Sequence, residues 1–279
     1  MTGGIGIAGA GRVARALGRA LQAGVIASRN PEHAVEAAAF TGAEAVELAE
    51  LPRRAERILI AVSDDAVTAV AQQLAEAGMS GGAALHTSGA LGPEALASLA
   101  ARGVACGVLH PLQTIASAEQ SLAGAAFAIA GEGEAARWAT GICGLLGGVP
   151  LRIAPGGMPL YHAAAVMASN NVTGLIDAAV ILMKAAGIDE KTALGALGPL
   201  VRAGVENTLA LGPGAALTGP IERGDVETVR RHLRSFADVP PSVAGLYRAA
   251  GLHVLEVARR GGLAEAKARE IERLLREGR

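Results

Sequence analysis

One turn constrains this chain more than any other feature. Gly9-Ala10-Gly11-Arg12-Val13-Ala14 stands directly between a short apolar run, Ile5 to Ala8, and a helix-period segment, Val13 to Ala23. Each small residue has a mechanical reason to be there: Gly9 for a tight turn, Gly11 for close approach of a ligand to the backbone, Ala14 for a helix lying close to the strand. The helix start also offers free N–H groups and a positive dipole end to an anion. The same alternation continues, with strand-like runs at Val25 to Ser28, Ile58 to Val62, Ala83 to His86, Val104 to Leu109, Phe127 to Ala130 and Val149 to Ile153. Between them come helical patterns opening at Pro31 and spanning about Asp65 to Ala77 and Glu134 to Leu146. Alternation of this kind predicts a parallel sheet covered on both faces, an α/β doubly wound Rossmann domain over residues 1–154.

After Pro155 the pattern changes to helix alone. Tyr161 to Ala186 reads as one long helix interrupted only by Gly174, and Gly187 and Asp189 mark a stop and a restart. Lys191 to Leu211, Val226 to Ala237, Ser242 to Arg260 and Leu263 to Arg276 read as further helices, with a Gly-, Pro- and Thr-rich loop from Gly212 to Asp225. Residues 155–279 are therefore expected to form a second, all-α domain.

Composition narrows the function. Half of the residues are apolar but only 2% are aromatic, and the net charge is −1 with no block of one sign. A nucleic-acid partner calls for a basic stripe with interleaved aromatics, and neither is present. The two cysteines, Cys106 and Cys143, lack metal-ligand spacing, so neither a structural metal nor a disulfide framework is expected. Met1 runs straight into the first strand pattern, and no apolar stretch of membrane-spanning length is free of Gly, Pro or charge. No membrane partner is expected, and a cytoplasmic location follows as the default.

The turn suits a dinucleotide, with Gly9, Ala10, Gly11, Arg12 and Val13 along the pyrophosphate and Ala61, Val62 and Ser63 at the end of a neighbouring strand. The end of the second strand separates the two nicotinamide cofactors. NAD sites place Asp or Glu about 20 residues on, where it accepts from the ribose hydroxyls. Here Ser28-Arg29-Asn30 occupies that place, with two polar side chains and a cation and no carboxylate to repel a 2′-phosphate. NADP is the expected cofactor.

Ligands of doubly wound sheets bind beyond the carboxyl ends of the strands, and three polar clusters fall there: Ser63-Asp64-Asp65, His86-Thr87-Ser88-Gly89 and His110-Pro111-Leu112-Gln113-Thr114. Asp65 reads best as a helix cap. A lone histidine is more often structural, but two at successive strand ends suggest chemistry. His110 is the first candidate for proton donor, and His86 a second candidate or an orienting partner. On the long helix, His162 and Ser169 are seven residues apart and align on one face, with Asn170 beside them. Such a polar set inside an apolar helix is costly to bury without partners. In the loop Leu217 to Asp225, Thr218 and Arg223 could meet a polar, carboxylated substrate. Alternatively the loop only joins two helices, with Asp225 as N-cap.

Taken together, the opening turn, His86-Thr87-Ser88-Gly89-Ala90, His110-Pro111-Leu112-Gln113, Ala168-Ser169-Asn170 and Thr218-Gly219-Pro220-Ile221-Glu222-Arg223-Gly224-Asp225 resemble a bacterial Rossmann-like oxidoreductase family. Its C-terminal helical half was long catalogued only as a domain of unknown function. The family is similar in plan to ketopantoate reductases, pyrroline-5-carboxylate reductases and β-hydroxyacid dehydrogenases. The resemblance implies an NADP-dependent reductase, a site completed by the helical domain, and a homodimer formed through that domain. It further implies a small, ketopantoate-like 2-oxo acid as substrate. Asn170 and Ser88 would fix its carbonyl, His110 would protonate it, and Gln113, Ser169, Thr218 and Arg223 would complete the substrate contacts. One departure matters. The dehydrogenases and ketopantoate reductases carry Lys four residues before the Asn, where this chain has Val166. That leaves two alternatives open: an imine reductase of the pyrroline-5-carboxylate type, or a non-catalytic NADP-binding sensor.

Overall fold

A computed structural model describes residues 4–277; Met1, on which the expectation about the N-terminus rests, lies outside them. The chain divides into two compact units, the first ending at Ser169 and the second starting at Asn170.

The first unit is built on one eight-stranded sheet: β1 (Ile5–Ala8), β2 (Val25–Ala27), β3 (Glu44–Ala45), β4 (Arg57–Ile60), β5 (Ala83–His86), β6 (Ala105–Pro111), β7 (Ala126–Gly131) and β8 (Val149–Arg152). Their spatial order is β3-β2-β1-β4-β5-β6-β7-β8. The central strands read as unbroken apolar runs because both of their faces are covered: Ile58, Leu59 and Ile60 are wholly buried. Register brings Ile7 opposite Ile26 on one side and Leu59 on the other.

Seven helices accompany these strands: α1 (Arg12–Ala20), α2 (Pro31–Thr41), α3 (Leu51–Arg54), α4 (Val67–Glu76), α5 (Ala97–Ala100), α6 (Gly133–Leu145) and α7 (Met158–Ala168). One face of the sheet packs Ile7, Leu59, Leu85 and Phe127 against Leu17 of α1, Ala37 of α2 and Trp138 and Ile142 of α6. The other packs Ile58, Ile60 and Ala84 against Leu51 of α3, Val67 and Leu74 of α4 and Leu99 of α5. Alternate strand residues feed the two layers, as the period of two requires.

Three expectations need correction. The sheet is not wholly parallel: β7 runs antiparallel to β6, with Leu109 opposite Ile129. No helix lies in the connection 112–125, and a return without a crossover reverses the strand. The division into units falls after Ser169 rather than near Pro155, because Met158 at the start of α7 is buried against Val108 and Ala130 of the sheet. The long helix also breaks. Ser169 leaves helical geometry, and its hydroxyl donates to the Ala165 carbonyl at 2.8 Å, a back-bond that bends helices.

The second unit is helical: α8 (Asn170–Ala185), α9 (Glu190–Leu211), α10 (Pro213–Ala216), α11 (Val226–Arg234), α12 (Pro241–Arg260) and α13 (Glu265–Arg276). Ile221, Val229, Leu255, Ile271 and Leu275 form its core. Asp189 and Asp225 cap α9 and α11 by accepting from the backbone N–H of Thr192 and Thr228. Among the described residues, the helical run Met158–Ala185 is long and apolar enough to cross a membrane by length and composition. It contains Gly174 and Asp177, and only 6% of its most apolar window is buried within the chain. The run thus reaches that length only with Gly and charge inside it, the interruptions that the sequence reading named.

Candidate active site

The chain runs from β1 outward to β2 and β3, then returns to β4 on the other side of β1. That reversal opens a crevice at the carboxyl ends of the strands, the usual ligand position in such sheets. A cleft of about 1070 Å³ lies there, entirely within the first unit.

Its floor is the glycine turn. Gly9 has φ +133°, and a Cβ there would stand 2.1 Å from the Ala61 carbonyl oxygen, so no side chain fits. Gly11 is the opposite case. A Cβ on it would meet nothing within 4 Å, which leaves its face open to a ligand. It is also the N-cap of α1, whose first N–H groups are free of side-chain caps. Ala14 is wholly buried where α1 lies on the sheet. Gly9, Ala10, Gly11, Arg12 and Val13 line the cleft with Ser28, Arg29 and Asn30 from the end of β2 and Ala61, Val62 and Ser63 beyond β4. The Asn30 side-chain oxygen accepts from the Glu32 N–H and caps α2, leaving its amide N–H groups as donors. His33, one turn into α2, joins the same lining.

At the other end of the cleft are Thr87, Gly89, His110, Pro111, Gln113 and His162. His110 Nδ1 and the Tyr161 hydroxyl are 2.8 Å apart. Burial and the neighbouring His162 lower the pKa of His110 to about 4, with Asp64 opposing, so its ring is neutral at pH 7. Burial pushes the Tyr161 phenol up to about 12, and it keeps its proton.

His86 and Ser88 are not among the residues lining the cleft. His86 is fully buried, with Nε2 2.9 Å from the Gly92 carbonyl and Nδ1 accepting from the Ser88 N–H. Burial lowers its pKa. The Ser88 hydroxyl accepts from the N–H groups of Ala90 and Leu91. Both residues shape the loop after β5, and that loop carries Thr87 and Gly89 to the cleft. Asp65 does not cap a helix. It sits inside a 3-10 turn, Asp64–Ala66, that follows Ser63, and it lines the cleft.

Ser169 ends the first unit, whereas Asn170 opens α8 and Thr218 and Arg223 lie in the loop before α11, all three in the second unit. In that loop Ile221 joins the helical core and Asp225 caps α11. Sequence reasoning placed His162 with Ser169 and passed over Tyr161. Two ring residues side by side in a chain with so few aromatics were the available signal, but only the seating of α7 on the sheet brings them to His110.

Comparison with known proteins agrees with this architecture. Residues 3–111 match the Rossmann-like domain family and residues 125–254 the family described as Domain of unknown function (DUF2520). No curated protein matches the chain. Among solved structures, protein TM1727 from Thermotoga maritima is similar with a TM-score of 0.76 and 24% identity over 92% of this chain and 98% of that one. A reductive aminase from Aspergillus terreus, solved with NADPH and ethyl levulinate, has a TM-score of 0.67 and 18% identity over 98% and 99%. An imine reductase from Pseudomonas sp. has 0.60 and 18% over 99% and 93%. The likeness is one of fold.

Proposed function

We propose that this chain is an NADP-dependent oxidoreductase, acting on a small 2-oxo acid of the ketopantoate type, cytoplasmic and homodimeric through its helical part. The observation that carries the reading is a single cleft running from the glycine turn to a pair of imidazoles. The residues suit the cofactor. Gly9 permits the turn, the open face of Gly11 and the α1 N-terminus accept a pyrophosphate, and Ser28, Arg29, Asn30 and His33 offer donors to a 2′-phosphate. When bound, the reduced nicotinamide supplies a hydride. His110, neutral and beside the acceptor, polarises a C=O group by hydrogen bonding. Gln113, which lines the same cleft, is assigned to the polar atoms of the substrate. Ser88 and His86 act through the loop they hold, as positioning residues.

A second reading, imine reduction, is favoured by one observation. An uncharged His110, with Val166 in place of a lysine, tolerates a cationic C=N carbon that accepts hydride without an acid. The fold shared with a reductive aminase and an imine reductase supports it as well.

Calorimetry with NADPH and NADH, followed by NADPH consumption with ketopantoate and with pyrroline-5-carboxylate, tests both readings. A charge-assisted contact contributes about 1.5–3 kcal/mol, roughly 10- to 150-fold in affinity. Arg29→Ala is therefore expected to weaken NADPH at least about tenfold while sparing NADH. Absent binding of either nucleotide would remove the proposal. Tight NADPH binding without consumption of any oxo acid or imine would favour a sensor.

A further inference from the structure

His110 and His162 converge on one point. A Cβ built on Gly89 would stand 2.6 Å from His162 Nδ1 and 2.8 Å from His110 Nε2, so the two nitrogens face each other across a residue with no side chain. The rings lie 6.1 Å apart and nearly perpendicular. His162 Nδ1 is buried and has no hydrogen-bond partner among the described residues, a costly state unless something else supplies the partner. The other side of His110 is occupied: Nδ1 meets the Tyr161 hydroxyl, and the two rings pack edge to face at 5.6 Å.

We propose that these residues act as one unit over Gly89, in which Tyr161 positions His110 with its ring hydrogen on Nε2 and His162 delivers the proton to the substrate oxygen. The division of labour rests on the reductase reading and follows from the chemistry of each group. A phenol is a better donor than acceptor, and a neutral imidazole nitrogen is a good acceptor, so the O–H of Tyr161 points at Nδ1. The hydrogen of His110 then belongs to Nε2, toward Gly89 and the cleft. With Nδ1 of His110 engaged by Tyr161 and its Nε2–H serving as a hydrogen-bond donor, the nitrogen left to pass on a proton is the unpartnered Nδ1 of His162. As the carbonyl carbon receives its hydride, the C=O π bond opens. The oxygen, held by His110 Nε2–H, takes the proton from His162 Nδ1, leaving both rings neutral until His162 regains a proton from solvent. The charged or titratable groups facing His110 are Tyr161 and His162 from α7, Asp64 beyond β4 and His86 of β5.

The test has two arms on the full chain. Nitrogen-15 NMR of histidine-labelled protein at neutral pH is expected to show His110 as the Nε2–H tautomer, and Tyr161→Phe to scatter it into a mixture. An Nδ1–H tautomer in the wild type, or no change in Tyr161→Phe, would overturn the positioning role without reference to turnover. In the second arm His162→Asn keeps a polar atom near Nδ1 but cannot give up a proton. With ketopantoate its kcat is expected to fall about 100-fold or more at unchanged NADPH affinity. N-methylpyrrolinium, a permanently charged iminium, needs no proton, so the oxo acid-to-iminium rate ratio should drop at least about tenfold. Equal losses on both substrates, or none, would overturn the acid role. A wild type that consumes NADPH with neither probe would sink the reductase reading and the acid role together, while the tautomer measurement would still decide Tyr161.

Discussion

His110 is held by two opposing demands. Its strand position puts the ring at the mouth of the cleft, while packing by His162, His86 and the sheet end disfavours its charge. This has a sign in stability. The folded pKa, about 4, lies below the ordinary value of about 6.5. The unfolded chain therefore binds more protons as the pH falls from about 6.5 to about 4, and stability drops across that window. The contribution is at most about 3 kcal/mol. Urea midpoints between pH 7.5 and 4 are expected to fall in the wild type and to fall less in His110→Asn. A residual slope is expected from His86, whose pKa is lowered in the same direction. An identical slope in the variant would show that His110 is not the group responsible. At this scale Gly9, Gly11 and His110 were legible because local order sets them: a strand end, a turn and a helix start are neighbours in the chain. Tyr161 was not, since its partner stands at 51 residues' remove. His86 looked like His110 in sequence and differs only in what surrounds its ring.

The strands illustrate what an element can and cannot announce. Phe127 to Ala130 reads as a buried strand, and it is one, but nothing in its residues states its direction. Direction came from the connection, since the helix-free segment 112–125 returns the chain antiparallel to β6. Phe127 is wholly buried and packs beside the backbone of Gly148, where a Cβ would stand 2.9 Å from its ring. Phe127→Ala is expected to destabilise the fold by about 3–5 kcal/mol, read as a loss of urea midpoint. A loss below about 1 kcal/mol would mean that β7 is peripheral to the core. The break at Ser169 is a case of the same kind. Its apolar surroundings predict helix, and one hydroxyl back-bond to Ala165 redirects it.

At the scale of the molecule, α9 leaves an apolar stripe uncovered. Leu194, Val205 and Leu209 are 48%, 46% and 82% exposed and fall within one side of the helix at its 3.6-residue period, while Leu200 and Leu211 are exposed on the other. Scattered exposed apolar residues need no partner, but aligned ones mark an interface. With a second copy as the occupant, the double variant Val205→Glu and Leu209→Glu should shift sedimentation from dimer to monomer while NADPH still binds. A wild type that sediments as a monomer would remove the dimer. The sequence by itself determined the Rossmann-like beginning, the helical remainder and the glycine turn with its neighbouring strand end, because each depends on period and on adjacent residues. Only the tertiary structure decided which side chains share the cleft, where the two units divide and how the sheet turns back. The first two depend on α7 docking through Met158 onto Val108 and Ala130, a contact between distant residues that no local pattern encodes, and the third on the helix-free connection 112–125.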